Sequence, residues 1–378
     1  MVTSLSDESA LLAELRSLAE RGHHQEVLNR LERLPADTVE RRTAFTLLAA
    51  EAHGRLGAYP EAERWAQAAL VIARSRGERH AELRARNYKG AIALERGDVE
   101  AAEPHFAAAL ELARSLEDHA TEARCLNNLG IIANLQGDPR GALANYQLAL
   151  AAYQQAGLAR GMAETQHNIG ISWRDLRDYR RALAAAEEAT RLAEQQVRDD
   201  ALSAQAITGR AELHLLQGDL ELASAELARA AAAYERLHHP VGLAEVWRLQ
   251  AGVVRARGDS VEATATLRRA AELARGHGSA HTLAEIERDL GAALEASGDA
   301  CGARARRPIV PSSRRRQGGT GDRRSDQAIR KAAQPRAAFA PPPPPPPPSP
   351  AGKRSVSVPR RPPRDDRPSR LRCCPENH

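Results

Sequence analysis

The chain has 378 residues, of which 42% are hydrophobic but only 3% aromatic, and its formal net charge is +5. Residues 301–378 contain 19 Lys and Arg against 5 Asp and Glu, whereas residues 1–300 contain 35 against 44. The acidic body gives no reason to expect nucleic acid, and the four cysteines have no metal-binding or disulfide spacing. With no signal peptide and no apolar run that could span a bilayer, a cytoplasmic protein is expected.

A small turn residue recurs along the chain and predicts a series of helix pairs. Five residues after it stands Ala in every unit except the first, which has Val27; seven before it stands Gly or Ala, except for Leu15. A turn Gly can take the positive φ that ends a helix, and small residues let two helices cross closely. The turn residues are 35 and then 40 or 41 residues apart: Gly22, Gly57, Gly97, Gly137, Arg177, Gly218, Gly258 and Gly298.

In chain order, this register predicts seven helix pairs and an incomplete eighth. The first pair is short, and the fifth has Arg177 in place of the turn Gly. The eighth loses register near Ala303, and Pro308 and Pro311 would stop its second helix. The predicted units span about residues 8–35, 43–80, 83–120, 123–160, 163–200, 204–241 and 244–280, with a capping helix within 282–305.

Several aromatic residues occupy matching positions in different units. Trp173 and Trp247 lie in first helices, Tyr59 and Tyr179 follow the turn, and Phe106 and Tyr146 lie in second helices. With these positions, residues 8–305 resemble the tetratricopeptide repeat, in a variant of about 40 residues similar to that of kinesin light chain and bacterial regulators. The resemblance implies an all-α fold: a right-handed α-solenoid of antiparallel helix pairs over residues 1–303.

The composition changes after about residue 303, where Arg, Pro, Ser and Gly replace Leu and Glu. Residues 341–348 are eight consecutive prolines. Such a segment buries too little apolar surface to fold, so 306–378 is predicted to be a disordered tail. Three interpretations stay open: a passive linker, an interaction arm for a proline-binding groove or phosphates, and the product of a shifted reading frame. Nucleic-acid binding through the basic tail is a further alternative.

The sequence contains no motif that would support catalysis. A phosphate-binding loop, a G-x-S-x-G nucleophile turn and an H-E-x-x-H zinc motif are all missing from it. The histidine pairs at 23–24 and 238–239 fall at turns, where neighbours point to different sides and do not converge on a metal. We therefore expect no enzyme activity and no cofactor, and the remaining function class is recognition.

The resemblance implies a concave groove, lined by the first helix of each unit, that binds another protein or an extended peptide. A carboxamide can donate to and accept from a peptide backbone, and the arginines favour an acidic or phosphorylated ligand. The expected function is a scaffold or adaptor, with a sensory module for a peptide effector as the alternative. In another interpretation, the asparagines only support neighbouring helices. The candidate groove residues are Arg84, Asn87, Tyr88, Arg124, Asn127, Asn128, Asn134, His167, Asn168, Arg174, Arg248 and Arg255.

Overall fold

The computed structural model describes residues 5–35, 38–39, 42–276 and 280–296, and all regular secondary structure within these ranges is helical. The predicted tail, and the loss of register near Ala303, lie outside the described residues. Among the described residues, every helix is too short or too polar to span a bilayer. The longer helices are α1 Leu5–Glu20, α2 His24–Glu32, α3 Thr43–Arg55, α4 Tyr59–Arg76, α5 Arg79–Glu95, α6 Val99–Ser115, α7 His119–Gln136, α8 Pro139–Ala156, α9 Ala159–Asp175, α10 Tyr179–Leu192, α11 Asp200–Gln217, α12 Leu220–Arg236, α13 Pro240–Ala256, α14 Ser260–Gly276 and α15 Ala280–Ala296.

The helices form antiparallel pairs, in which an odd-numbered first helix is followed by an even-numbered second helix. From α3 onward, the most extensive packing lies within a pair, followed by packing of each second helix on the first helix of the next unit. Adjacent first helices also contact each other along the series from α3 to α15. The first helices therefore form one continuous surface, as expected for an α-solenoid.

The turn within each pair is made by local backbone chemistry. Gly137 has φ +84°, and Arg177 adopts the same left-handed conformation with φ +60° in place of a glycine. The next residue, Asp138 or Asp178, caps the second helix by accepting a hydrogen bond from the backbone N–H three residues later. The turn residues identified in the sequence thus lie between the two helices of a pair in the structure.

The small residues seven positions before the turn lie where two helices cross. Gly130 of α7 packs against the ring of Tyr146 of α8, which is fully buried, and Gly90 of α5 packs in the same way against Phe106 of α6. A side chain at either position would meet an aromatic ring. The core between the helices is otherwise built largely from Ala and Leu, which explains the low aromatic content.

The fifth unit contains one extra residue, which gives the single 41-residue step in the series. A short π-helical segment, Ala193–Val197, continues α10 and is followed by Arg198 in the left-handed conformation at φ +55°. Asp199 then caps α11 by accepting a hydrogen bond from the Leu202 N–H. The π-helical turn absorbs the extra residue, so α11 and the later helices keep their register.

Candidate functional site

One polar or charged side chain per unit occupies the same turn of consecutive first helices. We call this set the groove row; its members stand thirteen residues before the turn residue and are each half-buried. Because adjacent first helices pack side by side, these side chains follow one another across the solenoid. The groove row consists of Arg84, Arg124, Glu164, Gln205, Glu245 and Glu285.

The predicted asparagines lie deeper than the groove row and bond between helices. Asn127 Oδ1 on α7 accepts hydrogen bonds from Asn168 Nδ2 on α9, at 3.2 Å, and from Thr165 Oγ1, at 3.1 Å. All three side chains are buried. Since hydrogen-bonded buried polar groups fix the relative position of the elements that hold them, this cluster joins the fourth unit to the fifth.

A second cluster joins the same two helices about two turns further on. Asn134 Nδ2 donates to Ser172 Oγ on α9 at 2.8 Å and lies 3.4 Å from the hydroxyl of Tyr146. Between α5 and α7, the Cys125 thiol donates to Asn87 Oδ1 at 3.7 Å. Support of neighbouring helices therefore accounts for these side-chain hydrogen bonds of four of the five predicted asparagines.

Asn128 differs from the other four asparagines. Its side chain is 2% exposed, and its Oδ1 has no hydrogen-bond partner among the described residues. A buried carbonyl oxygen without a partner costs on the order of 1–3 kcal/mol. Asn128 thus keeps a buried acceptor that a peptide N–H could use after a small movement of the surrounding side chains.

The N-terminal part of the surface is rich in guanidinium groups. The Arg84 guanidinium lies 5.9 Å from the centre of the Tyr88 ring, and the Tyr88 hydroxyl donates to Glu51 Oε2 at 2.6 Å. Burial and the nearby Glu51 carboxylate raise the pKa of Tyr88 to about 12, so it stays protonated and can donate. Burial and the positive charge of Arg84 lower the pKa of Arg16.

The middle of the surface contains matched charges. Arg160 donates to Glu164 at 3.0 Å and to Asp199 at 2.6 Å, and Arg174 donates to Glu212 at 2.7 Å. Burial and the charge of Arg174 lower the pKa of His167 to about 4, which leaves this imidazole neutral at pH 7. The predicted cation Arg174 is therefore already paired within the protein.

The C-terminal part of the surface contains more carboxylates than cations. Arg248, 9% exposed, makes two hydrogen bonds to Glu245, at 2.6 and 2.9 Å, and one to Asp289, at 2.8 Å. Its Nε also lies 4.0 Å from Glu285. One guanidinium thus faces three carboxylates. Burial, together with the neighbouring Glu245 and Glu212 and against the effect of Arg248, raises the pKa of Glu285 to about 7.

This shift predicts a pH-dependent effect of Glu285→Gln. The neutral carboxyl is favoured in the fold, so its contribution to stability is full below about pH 4.5 and is lost as the pH rises through 7. Glutamine avoids that loss and should raise the free energy of unfolding by about 1–2 kcal/mol at pH 8, with little effect at pH 5. Urea denaturation at both pH values measures the difference.

The control for this prediction is Glu287→Gln, on the same helix. Glu287 makes a surface ion pair with Arg275 at 3.1 Å, and such pairs contribute less than about 1 kcal/mol. If Glu285→Gln is equally destabilising at pH 5 and pH 8, burial of this carboxylate is not the origin of the effect.

The remaining predicted residues differ in how far they are exposed to solvent. Arg255 is exposed in the last turn of α13, whereas Arg124 is half-buried in the groove row. The carboxylates Glu164, Glu245 and Glu285 were not among the predicted residues, although they continue the column that begins with Arg84 and Arg124. Reading that column through to the eighth unit would have found them.

Comparison with known proteins supports the repeat assignment. The family model for the tetratricopeptide repeat matches residues 82–155, which lie within α5 to α8. A search of curated proteins finds no match. Among solved structures, a Rap protein complexed with competence and sporulation factor is 18% identical, with 80% of this chain and 85% of that chain covered and a TM-score of 0.61.

The quorum sensor NprR has a similar fold. The apo form from B. thuringiensis is 15% identical, with 78% of this chain and 84% of that chain covered and a TM-score of 0.61. NprR in complex with its cognate peptide NprX is 13% identical, with 82% and 91% covered and a TM-score of 0.60. At these identities the likeness concerns the fold. The family match identifies tetratricopeptide repeats over residues 82–155, and the same turn register continues on both sides of that segment.

Proposed function

We propose that the chain is a non-catalytic scaffold or adaptor that binds an extended peptide along the groove row. The observation behind this proposal is the alignment of six half-buried polar or charged side chains at one register of consecutive first helices. Packed helices lie about 8–10 Å apart, so each step along the row spans about three residues of an extended chain. The spacing suits a ligand that offers a side chain or backbone group to each unit.

Two of the similar structures favour a peptide over a folded partner. The Rap protein is complexed with competence and sporulation factor, and NprR is in complex with its cognate peptide. If this chain acts in the same way, a peptide effector would occupy the groove and the protein would serve as a sensory or regulatory module. A scaffold and a sensor would use the same surface. They would differ in whether the bound peptide is a partner held in place or an effector that alters the activity of the protein.

The role proposed for each candidate residue depends on how deeply its side chain is buried. Arg84, Arg124 and Gln205 are half-buried members of the groove row and would contact the ligand directly. Asn127 and Asn134, which bond to α9, would hold the first helices in position for that contact. Substituting these buried asparagines would disturb helix packing as well as binding, so they are poor probes of the groove.

The test places a tryptophan in the middle of the groove row. A library of random linear peptides is displayed and selected on the immobilised full chain, and enriched peptides are synthesised for affinity measurement. Gln205→Trp adds an indole between the basic and acidic members of the row and should weaken their binding at least tenfold. The matched control is Val261→Trp on second helix α14, where the native side chain is 83% exposed.

The expected pattern is loss of binding in Gln205→Trp, retention in Val261→Trp, and unchanged helical circular dichroism in both. Selection that enriches no peptide above the bare support would overturn the proposal. So would enriched peptides that bind Gln205→Trp as tightly as the unsubstituted chain, because the ligand would then lie elsewhere on the solenoid.

A further inference from the structure

The groove row changes sign along the chain. Its first two members, Arg84 and Arg124, are cations; Glu164 is paired with Arg160; Gln205 is neutral; and the last two, Glu245 and Glu285, are anions. Because each member stands at the same register on its own first helix, the change of sign is a change along the groove. A ligand lying across the row therefore meets a positive potential at one end and a negative potential at the other.

Groups outside the row reinforce the basic end. Arg16 of α1 lies within electrostatic range of Arg84; partial desolvation and the positive charge of Arg84 lower the pKa of Arg16. Arg55 of α3 is half-buried, and burial likewise lowers its pKa, against the opposing charge of Glu51. Four guanidinium groups from four first helices thus share this end with the carboxylates of Glu51 and Glu20.

The acidic end shows the opposite imbalance. Glu245, Glu285 and Asp289 surround the single buried guanidinium of Arg248. Glu212 of α11, paired with Arg174, also contributes its negative charge to Arg248 and to Glu285. Arg288 also bonds Asp289, at 3.1 Å, so the four carboxylates face three guanidinium groups, those of Arg174, Arg248 and Arg288. A further cation placed here would be attracted by the remaining negative charge.

We propose that the ligand is an extended peptide with segregated charges, acidic where it crosses α5 and α7 and basic where it crosses α13 and α15. This inference rests on the proposed peptide-binding function and specifies the chemistry of its ligand. From Arg124 to Glu245 there are three helix-to-helix steps, roughly 24–30 Å, which an extended peptide spans with about eight or nine residues. The acidic and basic groups of the ligand are thus separated by about that length.

A peptide with segregated charges complements the charge at both ends of the groove row, whereas a uniformly charged peptide complements only one end. An entirely acidic peptide would place carboxylates beside Glu245 and Glu285, where like charges repel in a partly desolvated site. An entirely basic peptide would meet Arg84 and Arg124 in the same way. Complementarity at both ends also defines the direction of the chain in the groove.

The test uses synthetic dodecapeptides of identical composition with acetylated and amidated ends. One isomer carries three Asp at its N-terminal end and three Lys at its C-terminal end, a second has the reverse order, and a third alternates the two residue types. Fluorescence anisotropy with the full chain at low ionic strength gives their Kd values. One segregated isomer should bind at least tenfold more tightly than the alternating isomer.

Two variants locate the preference. Arg124→Gln and Glu245→Gln should each reduce the advantage of the favoured isomer at least threefold, whereas Arg64→Gln, at a 77% exposed side chain on second helix α4, should leave it unchanged. Equal affinity for all three isomers overturns charge segregation but leaves peptide binding intact. If none of the three isomers binds, while the random library enriches peptides without segregated charge, charge segregation is likewise overturned and peptide binding is kept. If the library also enriches nothing, peptide binding itself is overturned.

Discussion

Arg248→Met should lower the free energy of unfolding by about 3–5 kcal/mol, the effect of leaving buried charges without their partner. Methionine fills a similar volume but removes the cation that Glu245, Asp289 and Glu285 share. Because repeats can open separately from one end, the loss should appear first in α13 to α15. Hydrogen exchange resolved by segment, combined with urea denaturation, measures both the size and the place of the effect.

The matched control for Arg248→Met is Arg257→Met. Arg257 is 44% exposed at its side chain and pairs with Glu221, which is 91% exposed, so the substitution should change stability by less than about 1 kcal/mol. Adding Glu285→Gln to Arg248→Met removes one of the carboxylates that faced the guanidinium and should restore part of the lost stability. An Arg248→Met chain as stable as the Arg257→Met chain would show that the carboxylates do not depend on this guanidinium.

Gly130→Ala should destabilise the chain by about 3 kcal/mol, at the upper end of the usual cost of overpacking. A Cβ at this position would stand 2.7 Å from Cδ1 and 2.9 Å from Cζ of Tyr146, and closer still to Cε1. The ring has little freedom to move, because it is fully buried and its hydroxyl lies 3.4 Å from Asn134 Nδ2. Urea denaturation followed by circular dichroism measures the loss.

The same substitution on another first helix provides the comparison. A Cβ at Gly291 of α15 would have no atom of the described residues within 4 Å. Gly291→Ala should therefore stabilise the chain by up to about 1 kcal/mol, through the higher helix propensity of alanine. If the two substitutions changed stability equally, close approach of helices would not explain the glycine at position 130.

The helix pairs could be predicted from sequence because their determinants are local. A glycine with positive φ at 137, an aspartate cap at 138 and a small residue at 130 act within one turn or one helix crossing, and the same pattern recurs. Even Arg177 did not break the prediction, since its neighbours kept the register. The extra residue of the fifth unit changed the spacing by one and left the later units in place.

The depth of the candidate groove residues could not be predicted in the same way. Asn127 binds Thr165 and Asn168, which are 38 and 41 residues away, so its role depends on which side chain the next first helix presents. A carboxamide suits a peptide backbone and a neighbouring helix equally well. Only the packing of α7 against α9 distinguishes a buried link from an open contact.

The arginines illustrate a related difficulty. Arg174 pairs with Glu212 and Arg248 with Asp289, at separations of 38 and 41 residues, close to one repeat length. A sequence pattern read within single units indicates an excess of positive charge, whereas the pairs form between units. Comparing each first helix with the next one, rather than with the average repeat, would reveal that the C-terminal end is acidic.

The π-helical turn at Ala193–Val197 has a consequence for how such a chain can change in length. One added residue is accommodated inside α10, and Gln205 and Glu245 still stand thirteen residues before their own turns. An insertion at this junction thus leaves the register of the groove row unchanged. A unit can therefore be lengthened here while the helices that follow keep their alignment. This makes the α10–α11 junction a suitable point for inserting a tag or a sensor segment.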